Sequence, residues 1–538
     1  MTHDQSFNED NRFGSAGWAD DYDLRGAGLF DGKGLPLGYF NRKPIHLDGD
    51  APLLTVGGAG SGKLRDLLGH VAINAKGQPT LWLDPRGEIF SICQHTFAPA
   101  NEYAYGWNPM GIADLPSHSC NPLDILSLNS PRLHADSKFI CEGIIPLSGS
   151  SNGQYFELRS REWLDALLKA IVEWRGAVSY AALWRVVNTI EGDPPAWADM
   201  LERMLSSRFD DVRRVGAEML TKQQESPKEF GSILGEIYAH LNFLSDPALL
   251  AALEGDDFSL SALCDPSRTS SVFLNIPAEY LKLWSPLIRT FVTVTMLYKS
   301  RAPQAPRITM VVDEAGQLGR FEALLSAFSY GRGFGVRTWA LFQDIGQIAR
   351  NFDRSAVQSF MGSAQVRQFF GVRDYETAKL VSDMLGSETL SYDGFEYQQA
   401  AKREKWQAAK QALFGDDPLA QGYDLGHYAK NAEHQTKQAR QLQMPDEILR
   451  LPEDQQILFI SGLNLNPILG NKFPYYSRRE NAGRYLPNPY HPPRDRMQVV
   501  TRFGRKWAAV LDQPVPAKWR AFPQYQSGRA LSVEGYPL

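Results

Sequence analysis

The chain has 538 residues, of which 43% are hydrophobic and 22% charged, and its formal net charge is −5. That balance is ordinary for a soluble globular enzyme and excludes a disordered or fibrous chain, while the length provides roughly three or four domains' worth of core. No apolar run reaches the ~18 residues a membrane-spanning helix needs, the polar, acidic N-terminus is not a secretory signal, and any nucleic-acid contact must come from local patches or an assembled pore.

The first element is Pro52–Val56, a short apolar, β-branched run that ends in glycines, as a buried parallel strand does on entering a tight turn. Next comes Gly57-Gly58-Ala59-Gly60-Ser61-Gly62-Lys63-Leu64, which satisfies seven of the eight positions of the phosphate-loop pattern G-x-x-x-x-G-K-[ST]. The segment 64–75 then has apolar residues at 64, 67, 68 and 71, which is helical spacing. Strand, glycine loop and helix together present main-chain N–H groups and a positive dipole end to a phosphate, and Lys63 adds charge for the β- and γ-oxygens. The alternative is a glycine-rich turn that binds nothing. At the last position the pattern calls for a hydroxyl that ligates Mg²⁺, and Leu64 stands there instead.

Short apolar strands alternate with helical stretches over residues 50–126 and 270–370, which predicts a parallel α/β sheet. Between about 130 and 265 strand signals largely vanish. Trp163, Leu164, Leu167, Leu168, Ile171 and Val172 recur there at helical spacing, which predicts an inserted helical module. Strand Arg307–Val312 then delivers two carboxylates, Asp313 and Glu314, at its C-terminal end. This is a Walker-B arrangement, with Asp313 to hold Mg²⁺ and Glu314 to orient or deprotonate the attacking water. Strand Val336–Phe342 ends in Gln343, either a sensor of the γ-phosphate or a strand-end cap. Arg320 and Arg332 follow Walker B, and each is either a cation reaching a neighbouring subunit's site or a surface ion pair. Glycines on both sides of Arg332 predict a tight loop and favour it. Arg86 is likewise an interface residue or a solvated one.

Residues 390–440 are polar, with Lys402, Arg403, Lys405 and Lys410 around Trp406; they form either a basic helix for DNA or another subunit, or a solvated excursion, which Glu404 and the Asp416-Asp417-Pro418 break favour. Residues 479–538 are rich in proline and aromatics, among them Tyr485, Tyr490, Trp507, Trp519, Phe522 and Tyr525, which calls for burial along the core or against a partner rather than a loose tail. Cys93, Cys120, Cys141 and Cys264 lack metal-ligand spacing, so a reduced, cytoplasmic setting is expected.

Several of these segments together resemble the type IV secretion coupling proteins, the TraG/TraD family of conjugative DNA-transfer ATPases. The Walker-B region carries the resemblance through Asp313–Arg320, Tyr330–Val336 and Gln343–Ile348. Gly14–Ala19 with Gly34–Gly38, Leu83–Phe90, Asn121–Asp124, and Met444–Ile448 with Leu451-Pro452 are similar to other family segments, in collinear order.

The resemblance implies a RecA-like P-loop domain with a parallel sheet, an inserted all-α domain, ATP and Mg²⁺ as cofactors, and a homo-hexameric ring. The organisation expected is a leading segment 1–49, a nucleotide-binding domain in two parts, 50–128 and 269–478, the helical insertion 129–268, and the tail 479–538. Expected partners are single-stranded DNA, relaxosome proteins and secretion-channel components. Relatives usually carry transmembrane helices before the Gly-Ser-Ala segment, whereas only thirteen polar residues precede Gly14, so a separate membrane anchor, or recruitment from the cytoplasm to the inner membrane, is expected. The activity implied is ATP-driven translocation of DNA or nucleoprotein, detuned by Leu64. The rival reading is a weakly or non-hydrolysing scaffold.

Overall fold

A computed structural model describes residues 14–74, 76–148, 153–392, 406 and 436–536. Two units separate by their internal contacts, the larger formed by residues 21–372, 452–465 and 469–538.

An eleven-stranded sheet organises the larger unit, in the order β2-β1-β13-β12-β9-β3-β8-β7-β4-β6-β5. The strands are β1 (Leu35–Phe40), β2 (Lys43–Leu47), β3 (Leu53–Gly57), β4 (Thr80–Pro85), β5 (Tyr103–Trp107), β6 (Ser270–Ile276), β7 (Ile308–Val312), β8 (Val336–Phe342) and β9 (Val366–Phe370). Later in the chain follow β10 (Ser387–Tyr392), β11 (Thr436–Gln441), β12 (Gln455–Ile460) and β13 (Ile468–Asn471). From β9 through β3, β8, β7, β4 and β6 to β5 every pairing is parallel. Strands β3, β6, β7 and β8 are buried along their whole length, as expected of a parallel sheet covered by helices on both faces. Beyond β9 the sheet turns antiparallel, because β12 runs against β9 and β1 pairs antiparallel with both β2 and β13.

The helical insertion lies between β5 and β6. Its longest helix, Gln154–Arg175, buries Trp163, Leu164, Leu167, Leu168, Ile171 and Val172, the stripe predicted from spacing. Ser179, Asp193 and Asp246 cap the starts of Tyr180–Gly192, Pro194–Leu205 and Pro247–Glu254 through main-chain N–H groups. Lys169, wholly buried on the longest helix, donates to Asp165 and Asp211 at 2.6 Å each. The buried Arg289, on helix Ser285–Arg301, donates to the carbonyls of Gly143, Ile144 and Leu318. One guanidinium therefore joins the insertion to the turn that follows the Walker-B strand.

The tail forms a three-stranded antiparallel meander of β14 (Arg496–Thr501), β15 (Gly504–Pro514) and β16 (Arg529–Val533). Ala98, Val515, Trp519, Phe522, Tyr525 and Ala530 make a small core beneath it.

In the smaller unit, β10 and β11 pair in register from Ser387–Gln441 to Tyr392–Thr436, and Ala16 joins them through an N–H to the Ser387 carbonyl. Lys402, Arg403, Glu404, Lys405, Lys410, Asp416, Asp417 and Pro418 of the polar stretch, and the first thirteen residues, lie outside the described residues.

Candidate functional site

Strands β3, β8 and β7 are neighbours and run parallel, so their C-terminal ends open at one sheet edge, where such folds collect their ligands. Gly57 ends β3, Gln343 follows β8, and Asp313 and Glu314 follow β7. Lys63 Nζ donates to the Gly57 carbonyl at 3.2 Å and lies 3.3 Å from Glu314 Oε1. Gln343 Nε2 donates to Glu314 Oε2 at 2.9 Å, so both oxygens of this carboxylate are engaged. Residues far apart in sequence thus meet in one cluster because β8 lies between the two motif strands.

Glu314 sits in the left-handed backbone region at φ 52°, and its own N–H donates to Asp313 Oδ1 at 2.9 Å. The capping role belongs to the next residue along β8. Asp344 accepts from the Gln347 N–H and starts helix Ile345–Asn351, which leaves the Gln343 side chain free to reach Glu314.

The loop is shaped by glycine where the chain must turn. Gly62 has φ 86°, and a Cβ on it would lie 2.3 Å from Asp66 Oδ2. After it the chain winds through Lys63–Leu68, one wide turn, into helix Gly69–Asn74, and the opening N–H groups have no helical carbonyl behind them. Asp66 is buried beneath and takes Arg65 at 2.6 and 2.8 Å.

Lys472 had no signal in the sequence, yet it braces the loop from behind. Its Nζ donates to the Ser61 carbonyl at 2.8 Å, lies 3.7 Å from Asp66 Oδ2 and sits 3.9 Å from the Phe370 ring centroid. Burial pulls its ammonium down to about 8, partly offset by Asp66.

Lys63, Asp313, Glu314 and Gln343 line a cleft of about 1100 Å³ together with Leu64, Arg86, Glu88, Tyr476, Asn488, Arg496 and Trp507. Burial, then the Glu314 charge, raises Asp313 to about 6 against the pull of Lys63. Asp84, the acid of the Asp-Pro-Arg-Gly-Glu segment, is wholly buried and accepts from the Ile89 and Phe90 N–H groups at 3.1 and 2.9 Å; burial lifts it to about 8 despite those bonds. It is a brace for the turn under Arg86 and Glu88 rather than a wall of the cleft.

Arg332 corrects the expectation of a loop. It lies in the last turn of helix Glu322–Phe334, which ends at Gly335 with φ 80°, and its side chain pairs with Asp50 at 3.0 Å. The flanking glycines are accommodated inside the helix, and the left-handed turn comes two residues after them. It does not line the cleft of its own chain. Arg320 pairs with Glu322 at 2.7 Å on the surface.

The main-chain N–H groups where the loop enters its helix, the Lys63 ammonium and the Asp313 carboxylate make a set suited to a polyphosphate with a hard cation. Among the described residues no three His, Cys, Asp or Glu side chains could hold a metal by themselves. A cation here would draw on phosphate oxygens and water beside one carboxylate, which is how Mg²⁺ is usually held.

A family profile described as type IV secretory system conjugative DNA transfer matches residues 10–419 and 424–506, ending one residue before Trp507. Protein VirD4 of Rhizobium rhizogenes is 23% identical over 323 residues, which is 59% of this chain and 47% of that protein. The type IV secretion system-coupling protein VirD4 of Bartonella quintana is 23% identical over 482 residues, covering 84% of this chain and 70% of its own. The chain spans about half the length of the first curated relatives it matches. The bacterial conjugative coupling protein TrwBdeltaN70 superposes with a TM-score of 0.58 at 17% identity, over 83% of this chain and 92% of that one. TrwB in complex with ADP and Mg²⁺ superposes with a TM-score of 0.55 at 16% identity, over 78% and 84%.

Proposed function

Because the chain belongs to the type IV secretory system conjugative DNA transfer family, we propose that it is a coupling protein whose cleft hydrolyses ATP to drive DNA toward a secretion channel. The observation that carries this reading is the Lys63–Glu314–Gln343 cluster at the tips of three adjacent parallel strands. ATP and Mg²⁺ suit that donor set, and TrwB, a structural neighbour, has been solved with ADP and Mg²⁺.

A bound Mg²⁺ would neutralise the charge that builds up on the phosphates and make ADP a better leaving group as water takes the γ-phosphoryl group. Lys63 and the loop N–H groups hold the phosphates, and Asp313 would hold the metal. Glu314, relieved of Lys63, orients the attacking water and takes its proton, while Gln343 keeps that carboxylate aimed and reports the γ-phosphate. Subunits assemble as a ring of six, with Arg332 offered to the adjacent subunit's cleft. Single-stranded DNA is gripped by its backbone, without sequence readout and with marked sensitivity to salt. Relaxosome and channel proteins are the further partners, and the ring works at the inner membrane.

Leu64 favours a second reading. Partly exposed in the cleft, it offers no oxygen and places a branched apolar group where an Mg²⁺ ligand is called for. On that reading the chain is a weakly hydrolysing scaffold that recruits DNA or protein cargo. ATPase rates with and without single-stranded DNA separate the two, measured on wild type, Lys63→Ala, Glu314→Gln and Leu64→Thr. DNA-stimulated turnover that disappears in Lys63→Ala and Glu314→Gln is the outcome expected of the motor. A wild type without turnover, revived by Leu64→Thr, leaves only the scaffold.

A further inference from the structure

The far wall of the cleft comes from the C-terminal part of the chain, and the phosphate chemistry above does not use it. Alternation along β14 buries Met497 and Val499 and turns Arg496 and Gln498 outward. Gln498 lies directly opposite Trp507 on β15, so Arg496, Gln498 and Trp507 share one face, and all three line the cleft. Trp507 is 52% exposed, with the Arg496 guanidinium 5.2 Å from its ring centroid.

Several contacts fix this wall relative to the phosphate loop. Tyr485 donates its hydroxyl to the Gln498 carbonyl at 2.7 Å and meets the Tyr475 ring edge-on at 5.1 Å. Tyr475 lies so close to the helix after the loop that a Cβ on Gly69 would fall 2.6 Å from its ring. Its neighbour Tyr476 is 43% exposed and also lines the cleft. On the other side, Asn488 donates to Glu88 at 2.9 Å and the Tyr490 hydroxyl donates to the Arg86 carbonyl at 3.1 Å.

The cleft therefore has a cationic, N–H-rich end and a flat aromatic end, joined by a rigid strap. A nucleoside triphosphate has matching ends, a polyanion and a planar ring. We infer that the β14–β15 face is the nucleobase subsite, in which the base stacks on Trp507 and Gln498 meets its polar edge. This inference rests on the nucleotide reading of the cleft and adds to it the part of the ligand that the loop cannot recognise.

The test compares ATP with inorganic tripolyphosphate, which has the charge but no base, by calorimetric titration of the full chain in Mg²⁺ buffer. Trp507→Ala and Trp507→Leu should each weaken ATP by about tenfold or more, the range set by loss of one aromatic stack, and leave tripolyphosphate affinity unchanged. Trp507→Phe should recover most of the ATP affinity. The Leu variant keeps an apolar side chain on the meander, so equal losses in Leu and Ala tie the effect to the ring rather than to folding. ATP binding untouched in both variants, or equal weakening of both ligands, overturns the subsite. Failure of the wild type to bind either ligand, or binding unaffected by Lys63→Ala, overturns the nucleotide reading itself.

Discussion

Lys63 is claimed by two anions. In the structure Glu314 holds it at 3.3 Å, and a phosphate in the loop needs the same ammonium. Glu314→Gln removes one claimant, so ATP should bind at least as tightly while turnover falls by about 10²–10⁴, the usual worth of a positioned general base. Titration of binding beside steady-state turnover checks this, and a parallel loss of both assigns Glu314 a structural part only. Gln343→Ala should lower turnover with little change in binding, because it frees one oxygen of Glu314 without touching the loop. Motif spacing made Lys63, Asp313 and Glu314 legible in the sequence, since each belongs to a pattern that phosphate chemistry imposes on side chains. Lys472 was illegible for the opposite reason. Its principal partner is a main-chain carbonyl, and no side-chain pattern records that.

Among elements, the phosphate loop and the longest helix of the insertion make contrasting cases. Gly62→Ala meets both a left-handed backbone and the Asp66 carboxylate, so about 1–2 kcal/mol of strain is expected from conformation alone, with nucleotide affinity lost before overall stability. Thermal melts with and without ATP separate these effects. In the insertion, Lys169→Met removes the cation from between Asp165 and Asp211. A loss of about 3 kcal/mol is expected, toward the low end for a broken buried pair because Asp211 is 32% exposed and water replaces part of the bond. Burial raises the Asp211 carboxyl, but the Lys169 hydrogen bond and charge outweigh it and hold the group below its ordinary 3.8. Its contribution is therefore present above that value and disappears as pH falls through the lowered one. In Lys169→Met the lowering is gone, so this acid-side loss should shrink or vanish, readable from denaturant midpoints across the acid range. The helical stripe around Trp163 was legible because a buried helix face repeats every three or four residues. Arg332 misled because glycines on either side usually mark a loop, whereas here the chain stays helical until Gly335.

For the whole molecule, the parallel strands and the insertion were legible in order, since local periodicity records each of them. The closing edge was not. Pairing of β1 with β13 joins Tyr39 to Asn471, a contact that no local pattern announces. The placing of the C-terminal meander beside the phosphate loop is of the same kind, although its aromatics already called for burial. Assembly supplies the remaining prediction. If Arg332 serves the adjacent cleft, mixing Lys63→Ala with Arg332→Ala subunits should restore turnover above that of either variant alone, because some clefts then combine an intact lysine with an intact arginine. Equal inactivity of the mixture and its parents confines Arg332 to its pair with Asp50.

The strap from Lys472 to Trp507 also has a consequence in time. Gly57–Leu64 leaves the ribosome some 400 residues ahead of Lys472, a delay on the order of half a minute at bacterial rates of synthesis. Throughout that interval the nascent chain carries a phosphate loop with neither its buried brace nor its aromatic wall. On the nucleotide reading, tight capture of a triphosphate thus waits until Lys472 and Trp507 have been made.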